Sequence, residues 1–380
     1  MSGRPEARAG RRSPPWAQHR VLAALLAAGL AGASPSRAVA SGPWVEGWRR
    51  GPLAPGPEHG VALASYGRRL VYGSSTEDEP GAAAIVDGAT GETLVAIANP
   101  APGPSDGFGA AVAIDAAFVA VAATGSGTVS VFDWSGRLLR SFADPAPDPV
   151  AGSGFGAALA LGRGLLVVGA PLALGGRGLV RAWDVRSGAL VLAFAGDEPA
   201  GDFGRALLCA GDLLLVGAPG RDPLVAPAGR VEARGLRDGA LRWRTSAAGA
   251  RPGDRFGAAL ALRGGTVLVG APAPGEVTTL RLRDGVALRR LAGPAGEDFG
   301  AGVAGSAGVV FVGAPGADPT ETDAGLVRAF SPSGALRQAI APAAGTYCAG
   351  AGSRLAAGPG FLAVGIVDCF GEAAVFGFSR

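Results

Sequence analysis

The chain has 380 residues, 48% of them hydrophobic and 17% charged, and its 65 glycines and 29 prolines make up about a quarter of it. Glycine costs roughly 1 kcal/mol in a helix interior, so this composition excludes an ordinary helical domain, and the lack of a strict Gly-X-Y register excludes collagen. The formal net charge of +3 is carried by the first forty residues, where six arginines face only Glu6, so residues 41–380 are net negative by two charges. A nucleic-acid partner loses its support once that segment is set aside.

Residues 1–40 have the three-part layout of a secretory signal peptide. Met1–Arg20 is arginine-rich, Val21–Ala33 is apolar, and Ala38-Val39-Ala40 gives a small-x-small pattern before Ser41. The apolar run has 13 residues, short of the ~20 that span a bilayer as a helix. The expectation is a secreted or periplasmic protein with no transmembrane segment in the mature chain, and one domain over residues 41–380. Trp44–Arg49 follows as a candidate strand.

From there the chain repeats itself. Phe-Gly pairs occur at Phe108-Gly109, Phe155-Gly156, Phe203-Gly204, Phe256-Gly257 and Phe299-Gly300, with degenerate copies at His59-Gly60 and Ala351-Gly352. Successive glycines of these seven copies (Gly60, Gly109, Gly156, Gly204, Gly257, Gly300, Gly352) lie 49, 47, 48, 53, 43 and 52 residues apart. Three residues past each glycine the side chain is always aliphatic, from Leu63 to Leu355, and so is the tenth, from Leu70 to Leu362. Thirteen residues past it stands Gly73, Ala122, Gly169, Gly217, Gly270, Gly313 or Gly365, and four of these open a Gly-Ala-Pro triplet.

Each copy reads as four short strands. In the third, Phe155–Leu161 alternates, Leu165–Val168 is uniformly apolar, and Gly178–Asp184 and Ala189–Phe194 are joined by Arg186-Ser187-Gly188. The same turn recurs in five other copies, with glycine supplying the positive φ of a tight hairpin. Four strands at a period near 48 predict an all-β, seven-bladed β-propeller with four-stranded blades. The uniformly apolar strand is expected near the axis. The last copy supplies only three strands, so Trp44–Arg49 is expected to pair with it and close the ring.

Reactive groups are few. After the signal segment the only histidine is His59, at the Phe position of the first copy, and it reads as a packed structural residue. One histidine leaves little room for a Ser-His-Asp arrangement, so no catalytic residues are assigned. Cys209 replaces an apolar strand residue and reads as a buried free thiol, while Cys348 and Cys369 could pair in an oxidising compartment. Asp106, Asp202, Asp254 and Asp298 recur beside the Phe-Gly pairs and read as turn caps. The pairs Arg49-Arg50, Arg68-Arg69 and Arg289-Arg290 read as solvated edges.

Phe-Gly followed by Gly-Ala-Pro in this spacing resembles the FG-GAP repeats of the integrin α-subunit propeller and of secreted bacterial FG-GAP repeat proteins. That resemblance covers about residues 43–380 and implies an interaction or adhesion role, with a protein or glycan as partner and the chain expected as a monomer. It also raises calcium, but these loops lack the alternating Asp-x-Asp-x-Asp-Gly ligands, leaving Asp318, Glu321 and Asp323 as weak metal candidates and no expected cofactor. The alternative is a propeller enzyme, a hydrolase or quinoprotein-like oxidoreductase, with its site at the central channel. The hairpin Ala182-Trp183-Asp184 with Ser187-Gly188 and Phe194 resembles quinoprotein repeats.

Overall fold

The computed structural model describes residues 43–51, 53, 58–76, 80–145, 152–220, 228–318, 324–341, 350–367 and 373–380. Residues 1–40, Cys348, Cys369, Glu321 and Asp323 lie outside them. The strands form seven four-stranded antiparallel sheets. In six of them the spatial order follows the chain; blade 3 runs Ala158–Gly162, Leu165–Ala170, Leu179–Asp184, Leu190–Ala195. Each sheet's first strand packs beside the first strands of its neighbours, and that of the seventh reaches that of the first. The ring is therefore closed, which makes this a seven-bladed β-propeller and excludes an open solenoid.

Burial explains the patterning along a blade. Leu165–Ala170 is buried at every position, whereas the outermost Leu190–Ala195 alternates between exposed and half-buried. Leu165 and Val167 pack with Phe203, Leu214 and Val216 of blade 4, while Leu166 and Val168 pack with Val129 and Val131 of blade 2. Uniform hydrophobicity thus marks a strand sandwiched between two neighbouring sheets. It stands near the axis, as expected, as the second strand of the blade; the alternating strand after each Phe-Gly pair lines the centre.

Seven hydrophobic clusters fill the seven inter-blade gaps. Phe108, Phe155, Phe203, Phe256 and Phe299 are each at most 3% exposed, one per gap. Burying such a side chain stabilises by roughly 1.5–3 kcal/mol. The gap between blades 6 and 7 has Ala351 in place of phenylalanine, and the same cluster takes in Trp44, stacked edge-on to Phe311 at 5.1 Å.

Both motif glycines serve one contact. The Gly204 N–H donates to the Gly217 carbonyl of its own blade at 3.0 Å, while its own carbonyl presses on Gly169 of blade 3. A Cβ on Gly169 would overlap that carbonyl oxygen, and Gly204 itself sits at φ +89°. The same approach pairs Gly73 with Gly109, Gly217 with Gly257, Gly270 with Gly300 and Gly313 with Gly352. Ala122 faces Gly156, whose lack of a side chain leaves it room.

A second contact ties the rim. Arg140, on the outermost strand of blade 2, donates to the Val185 and Arg186 carbonyls in the blade 3 hairpin and lies over Gly188. Trp243 donates to the Leu282 carbonyl at 2.9 Å and covers Gly285; Trp48 donates to the Gly88 carbonyl at 3.2 Å and covers Gly91. The turn glycines leave space for a neighbour's side chain as well as adopting positive φ.

Closure follows the expected route. Val45–Arg50 pairs antiparallel with Ala373–Ser379, from Val45 opposite Ser379 to Arg50 opposite Val375. Gln338 of blade 6 clips the segment, its side-chain carbonyl accepting from the Trp44 N–H at 2.7 Å and its amide donating to the Trp44 carbonyl at 2.8 Å. Deleting residues 43–50 therefore removes an outer strand and the Trp44 anchor together; the expected outcome is unfolding or aggregation, and thermal melting of the deletion variant checks it. Gly169→Ala is expected to destabilise by about 1–3 kcal/mol, since the atom it strikes is backbone, measured by denaturant unfolding.

Hairpin aspartates add a pH dependence. The Ser135 hydroxyl and the Arg137 guanidinium donate to Asp133 and hold its carboxyl down to about 2. Asp184 and Asp238 are also lowered, chiefly by the N–H groups of Ser187 and Ala240, and Asp284 chiefly by Arg281. A carboxyl depressed in the folded state stabilises fully above its unfolded value and loses that contribution as pH falls through the folded one. The melting temperature is expected to drop as pH is lowered from about 5 to about 2, and Asp133→Asn to flatten part of that drop.

Candidate functional site in the central channel

The column of aliphatic residues three positions past each motif glycine points into the channel. Leu63, Val112, Leu159, Leu207, Leu260, Val303 and Leu355 all line a cavity of about 500 Å³ at one end of it. Leu63, Val112, Leu159 and Leu207 also line a second cavity, of about 510 Å³, toward the other end. The column thus stands between two chambers of different chemistry.

The lower chamber lies where the innermost strands end. Besides aliphatic residues it presents Ser65, Tyr66, Asp115 and Cys209. Cys209 is half-buried on this wall, which refines the expected buried thiol. Burial, and then the Asp115 charge, push it up to about 12. Such a thiol stays protonated at neutral pH and is a poor nucleophile. Asp115 caps its own turn, accepting from the Ala117 and Phe118 N–H groups at 2.8 Å each.

The upper chamber opens where the innermost strands begin, on the face that carries the Gly-Ala-Pro turns. Its polar side chains are Arg205, Arg255, Arg354, Asp298, Thr124 and Ser353. Arg205 directly follows Gly204, Arg354 lies two past Gly352, and Arg255 directly precedes Phe256. All three are exposed to water in the mouth. Among the described residues no carboxylate pairs with any of them. Burial against the wall, and then the Arg205 charge, lower the Arg354 guanidinium from its ordinary value.

The residue before each Phe-Gly glycine pair has a fixed backbone demand. Gly107, Gly154, Asp202, Arg255, Asp298 and Gly350 occupy that position, with φ between 51° and 67°. Glycine, and less readily aspartate, accept this left-handed conformation, so the recurring acids at Asp202 and Asp298 have a backbone reason. The acids one place earlier cap turns, as expected: Asp106 accepts from the Phe108 N–H at 2.8 Å and Asp254 from the Arg251 N–H at 2.7 Å. Arg255 has no such reason to be there.

The other sequence candidates fall elsewhere. Among the described residues no three His, Cys, Asp or Glu side chains gather as a metal site, and Asp318 follows the Gly313-Ala314-Pro315 turn. His59 lies in the first strand of blade 1. The arginine pairs serve the fold: Arg50 donates to the Gly91 carbonyl at 2.8 Å, Arg69 stacks on Trp134 at 3.8 Å, and Arg290 bridges Glu276. The densest ion cluster joins buried Glu232 to Arg230, Arg234 and Arg244, and fastens Asp197 and Glu198 of the blade 3–4 connection. Sequence reasoning missed the mouth arginines. Their signal was departure from the repeat: where Arg205 stands, four other copies have alanine, and where Arg354 stands, five do.

Comparison with known proteins agrees on architecture. No family model matches the chain, and no curated protein sequence matches it. Among solved structures it is similar to a streptogramin B lyase, with TM-score 0.63 and 10% identity over 87% of this chain and 98% of that one. It is also similar to BamB from Moraxella catarrhalis, with TM-score 0.48 and 16% identity over 84% of each. The first likeness, at that identity, shows the propeller fold alone. No helix among the described residues is long and apolar enough to cross a membrane.

Proposed function

We propose that this propeller is an exported, non-enzymatic binding protein of the FG-GAP repeat kind, which holds a protein or glycan partner at its upper face. In this reading residues 1–40 are removed on export, Cys348 and Cys369 pair in the oxidising compartment, and the ring works as a monomer without a cofactor. The observation that carries it is the upper mouth. Three arginines from separate repeats meet at a concave opening held by a closed, glycine-locked scaffold, an arrangement suited to recognition. The channel wall itself is aliphatic, and its thiol is held protonated.

Immobilised protein exposed to periplasmic extract, culture medium and a glycan array is expected to retain one defined partner, released unaltered on elution. Loss of retention in the Arg205→Ala/Arg354→Ala double variant would place the partner at the upper mouth. A ligand recovered chemically changed would overturn the non-enzymatic reading.

A further inference from the structure

The upper chamber holds three guanidinium groups and one carboxylate, Asp298. That leaves two uncompensated positive charges in a single opening of a body that is net negative by two over residues 41–380. Like charges brought together in a concave wall repel, and Arg205 acts on Arg354 in that sense. A protein with no use for this repulsion has a simple remedy in its own repeats, because Ala157 and Ala301 stand where Arg205 does and Ala158 where Arg354 does.

Arg255 adds a second, independent cost. It is held at φ +60°, at a position that glycine fills in three other copies. A non-glycine residue in this region is strained, and such strain concentrates at ligand-binding sites. Three departures from the repeat, in two different blades and a connecting turn, thus share one cavity, and each puts a guanidinium there.

We infer that the upper mouth of the channel is a binding site for a phosphate monoester on a small, sugar-sized molecule. The charge fits: a monoester carries about −1.5 to −2 at neutral pH, close to the excess left after Asp298. The chemistry fits, since the guanidinium fork matches phosphate oxygens two at a time. Thr124 and Ser353 add hydroxyl donors on the same wall, and about 510 Å³ accommodates a hexose phosphate. The inference deepens the binding reading above by naming what the face recognises, and it rests on that reading only in taking this face as the recognition face.

Isothermal titration calorimetry with glucose 6-phosphate, inorganic phosphate, glucuronate and glucose tests it. Both phosphates are expected to bind, glucose not at all and glucuronate more weakly. Arg205→Ala, Arg255→Gly and Arg354→Ala, each a residue the other repeats already use, should weaken phosphate binding about tenfold or more, the effect of losing one charge-assisted hydrogen bond. Arg186→Ala, on the exposed blade 3 hairpin, should leave binding unchanged. Arg255→Gly should melt at or above the wild-type temperature, separating lost affinity from lost folding. No heat with either phosphate, equal binding of glucuronate, or undiminished binding in all three mouth variants would overturn the inference. A partner captured by a protein that ignores phosphate would leave the binding reading intact and sink this one, whereas phosphate binding without any captured partner would do the reverse.

Discussion

The closest inter-blade approach in this protein is between two backbones. At five of the seven blade junctions a glycine at the end of one blade's second strand lies against the carbonyl of the motif glycine that begins the next blade. No side chain can enter that gap, and the second glycine must also hold a positive φ. The spacing of 13 residues between the two glycines of a copy is the length of one innermost hairpin. It carries the chain from the contact with the preceding blade to the contact with the following one. Each blade is thereby keyed on both sides, and packing density near the axis is set by backbone.

The phenylalanine and the aliphatic columns then fill what the glycines leave. Buried phenylalanines occupy five junctions, and a second strand that is apolar on both faces meets a neighbour on each side. Farther out, where blades splay, a side chain from one outermost strand covers the hairpin glycine of the next. The three devices act at three radii, which is why glycine, phenylalanine and turn motifs recur with one common period. Two junctions lack the motif phenylalanine, and the one between blades 6 and 7, with Ala351 in its place, recruits Trp44, so there sequence degeneracy and ring closure meet.

Much of the architecture was legible because repetition turns a single chain into seven aligned examples. Strand number, blade number, the hairpin turns and the pairing of Val45–Arg50 with the last repeat all follow from columns that hold in register. The radial order was legible only as far as placing the uniformly apolar strand near the axis. Hydrophobicity reports burial, and the most buried strand is the one between sheets, whereas the innermost strand has one edge on an open channel. The candidate site was missed for a related reason. Reading columns rewards what is shared, and Arg205, Arg255 and Arg354 are informative because they are not shared. Arginine pairs adjacent in sequence drew attention, yet Arg50, Arg69 and Arg290 are spent on carbonyl, aromatic and carboxylate partners inside the fold.

A closed ring of like modules also constrains where function can reside. A side chain added at a shared glycine such as Gly169 strikes the backbone of the next blade, and Ala122 is accommodated at that column only against the bare Gly156 opposite it. The positions at the channel mouth vary more: Val61, Arg205 and Ser353 join four alanines one place past the motif glycine, and Gly302 and Arg354 join five alanines two places past it. Cations placed there are expensive to hold together in the absence of a ligand and inexpensive to remove. Their presence on three repeats, one of them at a backbone conformation that glycine would hold without strain, sets them apart from the structural arginines of the rim. The ring keeps their origins fixed relative to one another, so an anion entering the mouth orders only the three arginine side chains and not the backbone that carries them.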